Sequence, residues 1–136
     1  LTTQAPYYAV MRIIEAAGLG TIGTDLYGGE WGPSDAQVLC LAGVGVTSEL
    51  TALFEQPGVQ ILVRGEKQGA PTGSRDVDVY ARAKSISDLL LGQLDNACID
   101  GVNYKGFEET SPPGALGKDQ NERFIYSMNF YTYRNR

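Results

Sequence analysis

Four sets of residues have types and spacing that could do chemistry. The first is Gly18-Leu19-Gly20-Thr21-Ile22-Gly23, a literal G-x-G-x-x-G. In a dinucleotide-binding fold this motif follows a strand and opens a helix, so that helix amides meet a pyrophosphate. Here a helical pattern precedes it and a glycine-rich stretch follows, so a helix stop and loop is the better reading. The second is the pair Asp76 and Asp78. Paired carboxylates can divide acid and base roles or hold a divalent metal. Two residues apart on a helix they do not face each other, and they suit the positive end of a helix better. The third is Asp25, Glu30 and Asp35, which lack the regular spacing and terminal glutamate of a calcium loop. The fourth is any serine or cysteine nucleophile. The chain has no histidine, so every histidine-based triad and histidine-ligated metal is excluded. There is no G-x-S-x-G, and Lys84-Ser85 are helix neighbours rather than a facing dyad. No catalytic, metal or cofactor-binding residue is assigned, and no cofactor is expected.

Those residues must be positioned by a small scaffold. The chain has 136 residues, the length of one domain spanning 1–136. Hydrophobic residues make up 43% and charged residues 20%, which excludes a disordered chain. No apolar run reaches the ~20 residues that span a bilayer, so no membrane association is expected. The net charge of −5 argues against a general nucleic-acid binder, whose affinity would come from Lys and Arg on phosphates. The imbalance is local. Residues 1–60 carry six carboxylates against Arg12 alone, while residues 61–136 carry ten charges of each sign. Cys40 and Cys98 lie in apolar stretches and read as small buried hydrophobes of a cytosol-made protein rather than as a disulfide framework.

The hydrophobic pattern predicts a helix over 6–18, with Tyr7, Val10, Met11, Ile13, Ile14 and Ala17 on one face, Pro6 in its first turn and Gly18 at its stop. A glycine-rich loop over 18–35 follows, with a short strand near 25–27. Residues 37–42 read as a buried strand. Residues 43–58 are ambiguous, since Ser48-Glu49 could cap a short helix through Phe54 that Pro57-Gly58 would end. Alternation predicts a strand over 59–66 and a flexible loop over 67–74. A long helix capped by Ser74 then runs to about 94, with Val79, Ala83, Ile86, Leu90 and Leu94 on its apolar side. Strands over 97–99 and 102–109 flank the tight-turn pair Asp100-Gly101. A turn-rich loop covers 111–121, and the final strand covers 123–134. The expected fold is α+β, a mostly antiparallel or mixed sheet flanked by two helices.

The final strand is the most informative stretch. Its even positions, Phe124, Tyr126, Met128 and Phe130, belong in a core. Its odd positions end in Tyr131 and Tyr133. From Asn129 onward that side admits two readings: a second buried face, or a subunit contact made by Asn129, Tyr131, Tyr133 and Arg134. Tyrosine and arginine are enriched at interfaces.

Several stretches together carry a family resemblance. They are Pro57-Gly58-Val59-Gln60-Ile61-Leu62-Val63-Arg64-Gly65, Asp88-Leu89-Leu90-Leu91-Gly92, Leu116-Gly117-Lys118-Asp119 before Glu122-Arg123, and Ser127-Met128-Asn129-Phe130-Tyr131-Thr132-Tyr133-Arg134. In this order and spacing the chain resembles the small tail-terminator, or tail-completion, proteins of long-tailed bacteriophages, well over 58–134 and loosely before that. The family has no catalytic signature. The resemblance implies a virion protein assembled in the host cytoplasm, forming a homo-oligomeric ring, typically a hexamer, at the head-proximal end of the tail. Such a ring would cap the tail tube, end its polymerisation, and offer a surface to head-completion proteins. DNA would pass through its lumen without specific binding. An acidic chain suits such a conduit. The two predicted loops are then candidate contacts with partner proteins, through Lys67, Gln68, Thr72, Lys118 and Asp119. The alternatives are a head–tail connector or stopper and, from another class, a small carboxylate-dependent enzyme or ligand-binding domain.

Overall fold

A computed structural model describes residues 3–46, 54–67, 75–93 and 97–135. Helix α1 (Pro6–Ala16) starts with proline at its first turn, where the missing N–H costs nothing. It ends in a complete Schellman motif. Gly18, at φ +75°, donates to Glu15 O at 3.0 Å, and Leu19 N–H reaches Ile14 O at 3.1 Å. Ala9, Val10, Met11, Ile13 and Ile14 are buried. Ala17, expected on that face, is exposed because the helix has already ended.

Five further strands follow β1 (Leu26–Gly28): β2 (Gln37–Val46), β3 (Phe54–Arg64), β4 (Ala97–Ile99), β5 (Val102–Lys118) and β6 (Phe124–Asn135), with α2 (Asp76–Leu91) between β3 and β4. They form one six-stranded sheet in the order β1-β2-β3-β6-β5-β4, and only the β1/β2 pair is parallel. The α+β expectation with two helices holds. Both helices lie on one face. α1 packs on β1, β2 and β3, and α2 packs on β3, β5 and β6. Between them and the sheet lie Val38, Cys40, Val59, Ile61, Val63, Val79, Ala83, Ile86, Leu90, Met128 and Phe130. Period-2 alternation in the strands and period-3.6 spacing in the helices converge on this one layer. Leu94, expected to extend the apolar side of α2, lies outside the described residues, as do Ser74 and any structure over 47–53.

Four expectations are corrected. Phe54–Gly58 is the start of β3, not the end of a helix, and Pro57-Gly58 sits inside the strand. Most of the 111–121 loop is strand, because β5 runs on to Lys118. Composition misled there for a physical reason. Among the described residues, β4 pairs only with Val102–Tyr104, so the outer side of β5 is otherwise an edge, and Pro112 and Pro113 fall in the register shift between Ser111 and Gly114, where neither has a β6 partner. Four register shifts against β6 absorb the remaining irregularity. Cys40 is buried, but Cys98 is exposed on the short edge strand β4. Phe124 is only half-buried, at the strand's beginning. The Asp100-Gly101 turn is as expected, with φ of +48° and +83°, the conformation that favours this dipeptide.

Candidate assembly surface

The face of the sheet away from the helices has no helix over it among the described residues. Register places Leu39 beside Leu62 and Ser127, Leu41 beside Gln60 and Asn129, and Tyr131 between Gly58 and Glu108. All belong to the strand positions that alternate with the core set. Asn129, Tyr131 and Tyr133 therefore lie on one helix-free surface, each half-buried. The rings of Tyr131 and Tyr133 meet edge-on, 5.9 Å between centroids at 72°. Tyr131 donates its hydroxyl hydrogen to the Glu108 carboxylate, and that bond pushes the Tyr131 pKa up to about 12. The phenol is thus an uncharged anchor. Lys105 lies with its ammonium 5.0 Å above the Phe54 ring.

Arg134, grouped with these residues from the sequence, is on the opposite side. It is 6% exposed. Its guanidinium donates to Glu55 at 2.6 Å, to Gln4 O at 2.6 Å and to Tyr104 Oη at 3.0 Å. Even parity with Phe130 and Thr132 places it there, and a buried ion pair makes the position tenable. Its role in this chain is to tie the N-terminal segment to β3, β5 and β6.

One end of the helix-free face is closed by the glycine-rich segment. Gln37 accepts from Gly32 N–H at 2.8 Å and donates to Gly32 O at 3.0 Å. Arg64 donates to Asp35 O and Ser34 O at 3.1 and 2.9 Å and lies 4.3 Å from the Trp31 ring centroid. Burial lowers the Arg64 pKa. The carboxylate of Asp35 then accepts from Lys67 N–H at 2.9 Å and Arg123 at 3.2 Å. These bonds, led by the Lys67 amide, lower the Asp35 pKa. Arg123 also donates to Asp119 at 2.9 Å. Asp119 accepts the Arg123 and Asn121 amides besides. Burial raises the Asp119 pKa, but these hydrogen bonds outweigh it and the net shift is downward. Lys67 and Asp119 are thus brought to one corner through Asp35 and Arg123. Lys118 turns its ammonium onto Phe124, 5.0 Å away. Gln68 and Thr72 lie outside the described residues.

The other candidate chemistry is absorbed by the fold. In the G-x-G-x-x-G segment, Thr21 N–H is held by Asp25 at 2.7 Å and Ile22 N–H by Glu15 at 2.8 Å. The amides a phosphate would need already serve the chain's own carboxylates. Asp25 also pairs with Arg82 at 3.1 Å. Asp78 takes the Arg75 N–H and guanidinium at the start of α2, while Asp76 accepts from Tyr126 at 2.9 Å. A groove of about 390 Å³ between α1, α2 and β4 is lined by Arg12, Ile13, Leu89, Gln93, Cys98 and Ile99 among others, with no carboxylate on its wall. Among the described residues no group of three or more Cys, Asp or Glu is placed to hold a metal ion. No described helix is long and apolar enough to cross a membrane.

The sequence reading missed Glu108, Arg64 and Trp31. Nothing in spacing announces the Arg64–Trp31 contact, which joins two segments only through the fold. Glu108 was within reach, since it alternates with the buried Phe107.

Among the described residues, the α+β fold leaves one sheet face without a helix, and the carboxylates of Asp25, Asp35, Asp76, Asp78 and Asp119 are held by the chain's own donors. The chain belongs to the bacteriophage tail terminator family: a family model described as "Bacteriophage tail terminator protein" matches residues 13–135. It is a phage tail structural protein and a virion component. A comparison with curated proteins returned no match.

Proposed function

We propose that this chain forms a ring, six copies by analogy with the family's typical hexamer, at the head-proximal end of the tail tube. The ring ends tube polymerisation and presents a surface to a head-completion protein. The tube protein and the head-completion protein are its partners, and DNA crosses its lumen without specific binding. Family membership over residues 13–135 carries this reading. The helix-free face with Asn129, Tyr131 and Tyr133 supports it, because rigid aromatic anchors are what protein contacts use. The corner at Lys67 and Asp119 is the proposed contact with another tail or head protein. The net charge of −5 fits a conduit that must release DNA. Purified chain added to polymerised tail tubes tests this in negative stain. Annular density confined to one end of each tube, with growth stopped there, is expected. Tubes that keep growing at both ends in excess protein would refute it.

A further inference from the structure

Among the described residues, the sheet has two edges that are not fully paired. On β2, Val38 N–H and Cys40 C=O point outward to Asp25 and Gly29 beside β1. Strand alternation aims the main-chain groups of Ala42 the same way. β1 pairs only with Val38–Cys40, so beyond Cys40 no described strand meets that edge. Residues 36–48 contain no charge and no proline, and Val44 is 96% exposed. Edge strands of solitary domains are normally blunted by charge, proline, a bulge or a covering segment. Of these the described part of the β2 edge shows only the bulge, the shift between Gly43 and Val46, which leaves Ala42 in regular register. The opposite edge, β5 beyond Tyr104, carries Lys105, Glu108 and Glu109 and is stopped by Pro112-Pro113.

We propose that the occupant of the β2 edge is β5 of a second copy, in the stretch between Gly106 and Pro112. This rests on the ring reading above and names the contact that makes the ring. The two edges lie on opposite sides of one sheet, so their pairing is head-to-tail, the type that closes into rings, whereas β2 on β2 would stop at a two-fold dimer. The lengths agree. Residues 41–46 of β2 and 106–111 of β5 each span roughly 20 Å of extended chain, and the two prolines fix where pairing ends. A neutral β2 edge meets the charges of β5 without repulsion.

The test uses Val44→Lys, Thr110→Pro and, as a control on the outer side of α2, Val77→Lys. All three sites are exposed, and circular dichroism is expected to show wild-type folding for each. Mass is measured by sedimentation from micromolar to millimolar concentration. Wild type and Val77→Lys are expected to form the ring, and each edge variant alone to sediment as a single chain of 14.7 kDa. A mixture of the two edge variants, which retains one good edge of each kind, is expected to give twice that mass. A ring that survives in either edge variant, or loss of assembly in Val44→Lys only, overturns the edge pairing and leaves the ring reading standing. A wild type that stays monomeric over the whole range contradicts the ring reading itself.

Discussion

Phe130 and Tyr131 are neighbours in sequence with opposite duties. Phe130 is 1% exposed in the central layer, so Phe130→Ala should cost about 3–5 kcal/mol, a large part of a domain's total. Thermal unfolding by circular dichroism would show it. Tyr131→Ala with Tyr133→Ala should leave a folded subunit that assembles poorly, as read by light scattering. If the double variant unfolds as badly as Phe130→Ala, the odd face is core and its assignment to assembly is wrong. Arg134→Met belongs with Phe130, because it strands Glu55 beside a buried site and should cost about 3 kcal/mol. Acid sensitivity is also a residue-scale property. The pKa values of Asp35, Asp78 and Asp119 are lowered on folding. Their contribution is therefore complete above the unfolded carboxylate value, about 4, and is lost as pH falls through the lower folded values. Asp35 and Asp119 share Arg123, so Arg123→Gln should flatten the fall in melting temperature below about pH 4 relative to wild type. An unchanged slope would mean that the corner contributes no linkage.

At the scale of elements, β2 and β3 depend on close backbone approach. A Cβ on Gly58 would lie 2.2 Å from Val44 O, a clash with main chain that cannot swing aside. Gly58→Ala should cost at least the ~1–3 kcal/mol of an overpacked site. Gly117→Ala meets nothing within 4 Å but sits at φ +87°, so only the left-handed strain of roughly 1–2 kcal/mol applies. Chemical denaturation should rank Gly58→Ala as the more damaging, and the reverse order would contradict the packing at that crossing. These elements also show what a sequence can disclose. Both helices, β2, the 97–104 hairpin and the inner face of β6 follow from periodicity and turn residues, which act locally. The length of β5 was hidden, because Pro-Pro tolerance depends on a free outer edge and on a register shift against β6 that local sequence does not announce. Strand parity places Arg134 on the inner face, but the partners that make an inward arginine tenable, Gln4, Tyr104 and Glu55, were hidden because they are distant in sequence. The helix-free face was legible only as an aromatic alternation in β6, since its closing segment, 29–36, is joined to it by the side chains of Gln37 and Arg64 on main-chain groups and by the Trp31 ring, contacts that leave no local pattern.

Across the whole molecule, the charge asymmetry of the sequence becomes a fastening. Asp25, Asp35 and Glu55 of the acidic N-terminal part are each met by an arginine from the balanced part: Arg82, Arg123 and Arg134. Arg12, the lone base of the first sixty residues, lies 3.7 Å from Asp100. The acidic character is thus partly internal bracing. Among the described residues, the scaffold braced in this way has one sheet face without a helix and two edges not fully paired, which supports the proposed role in a ring. The most direct test of that central role is to image virus particles assembled without this chain. Tail tubes of uncontrolled length, detached from tailless heads, are expected. Particles with heads joined to tails of normal length would contradict a terminator at the head-proximal end of the tube.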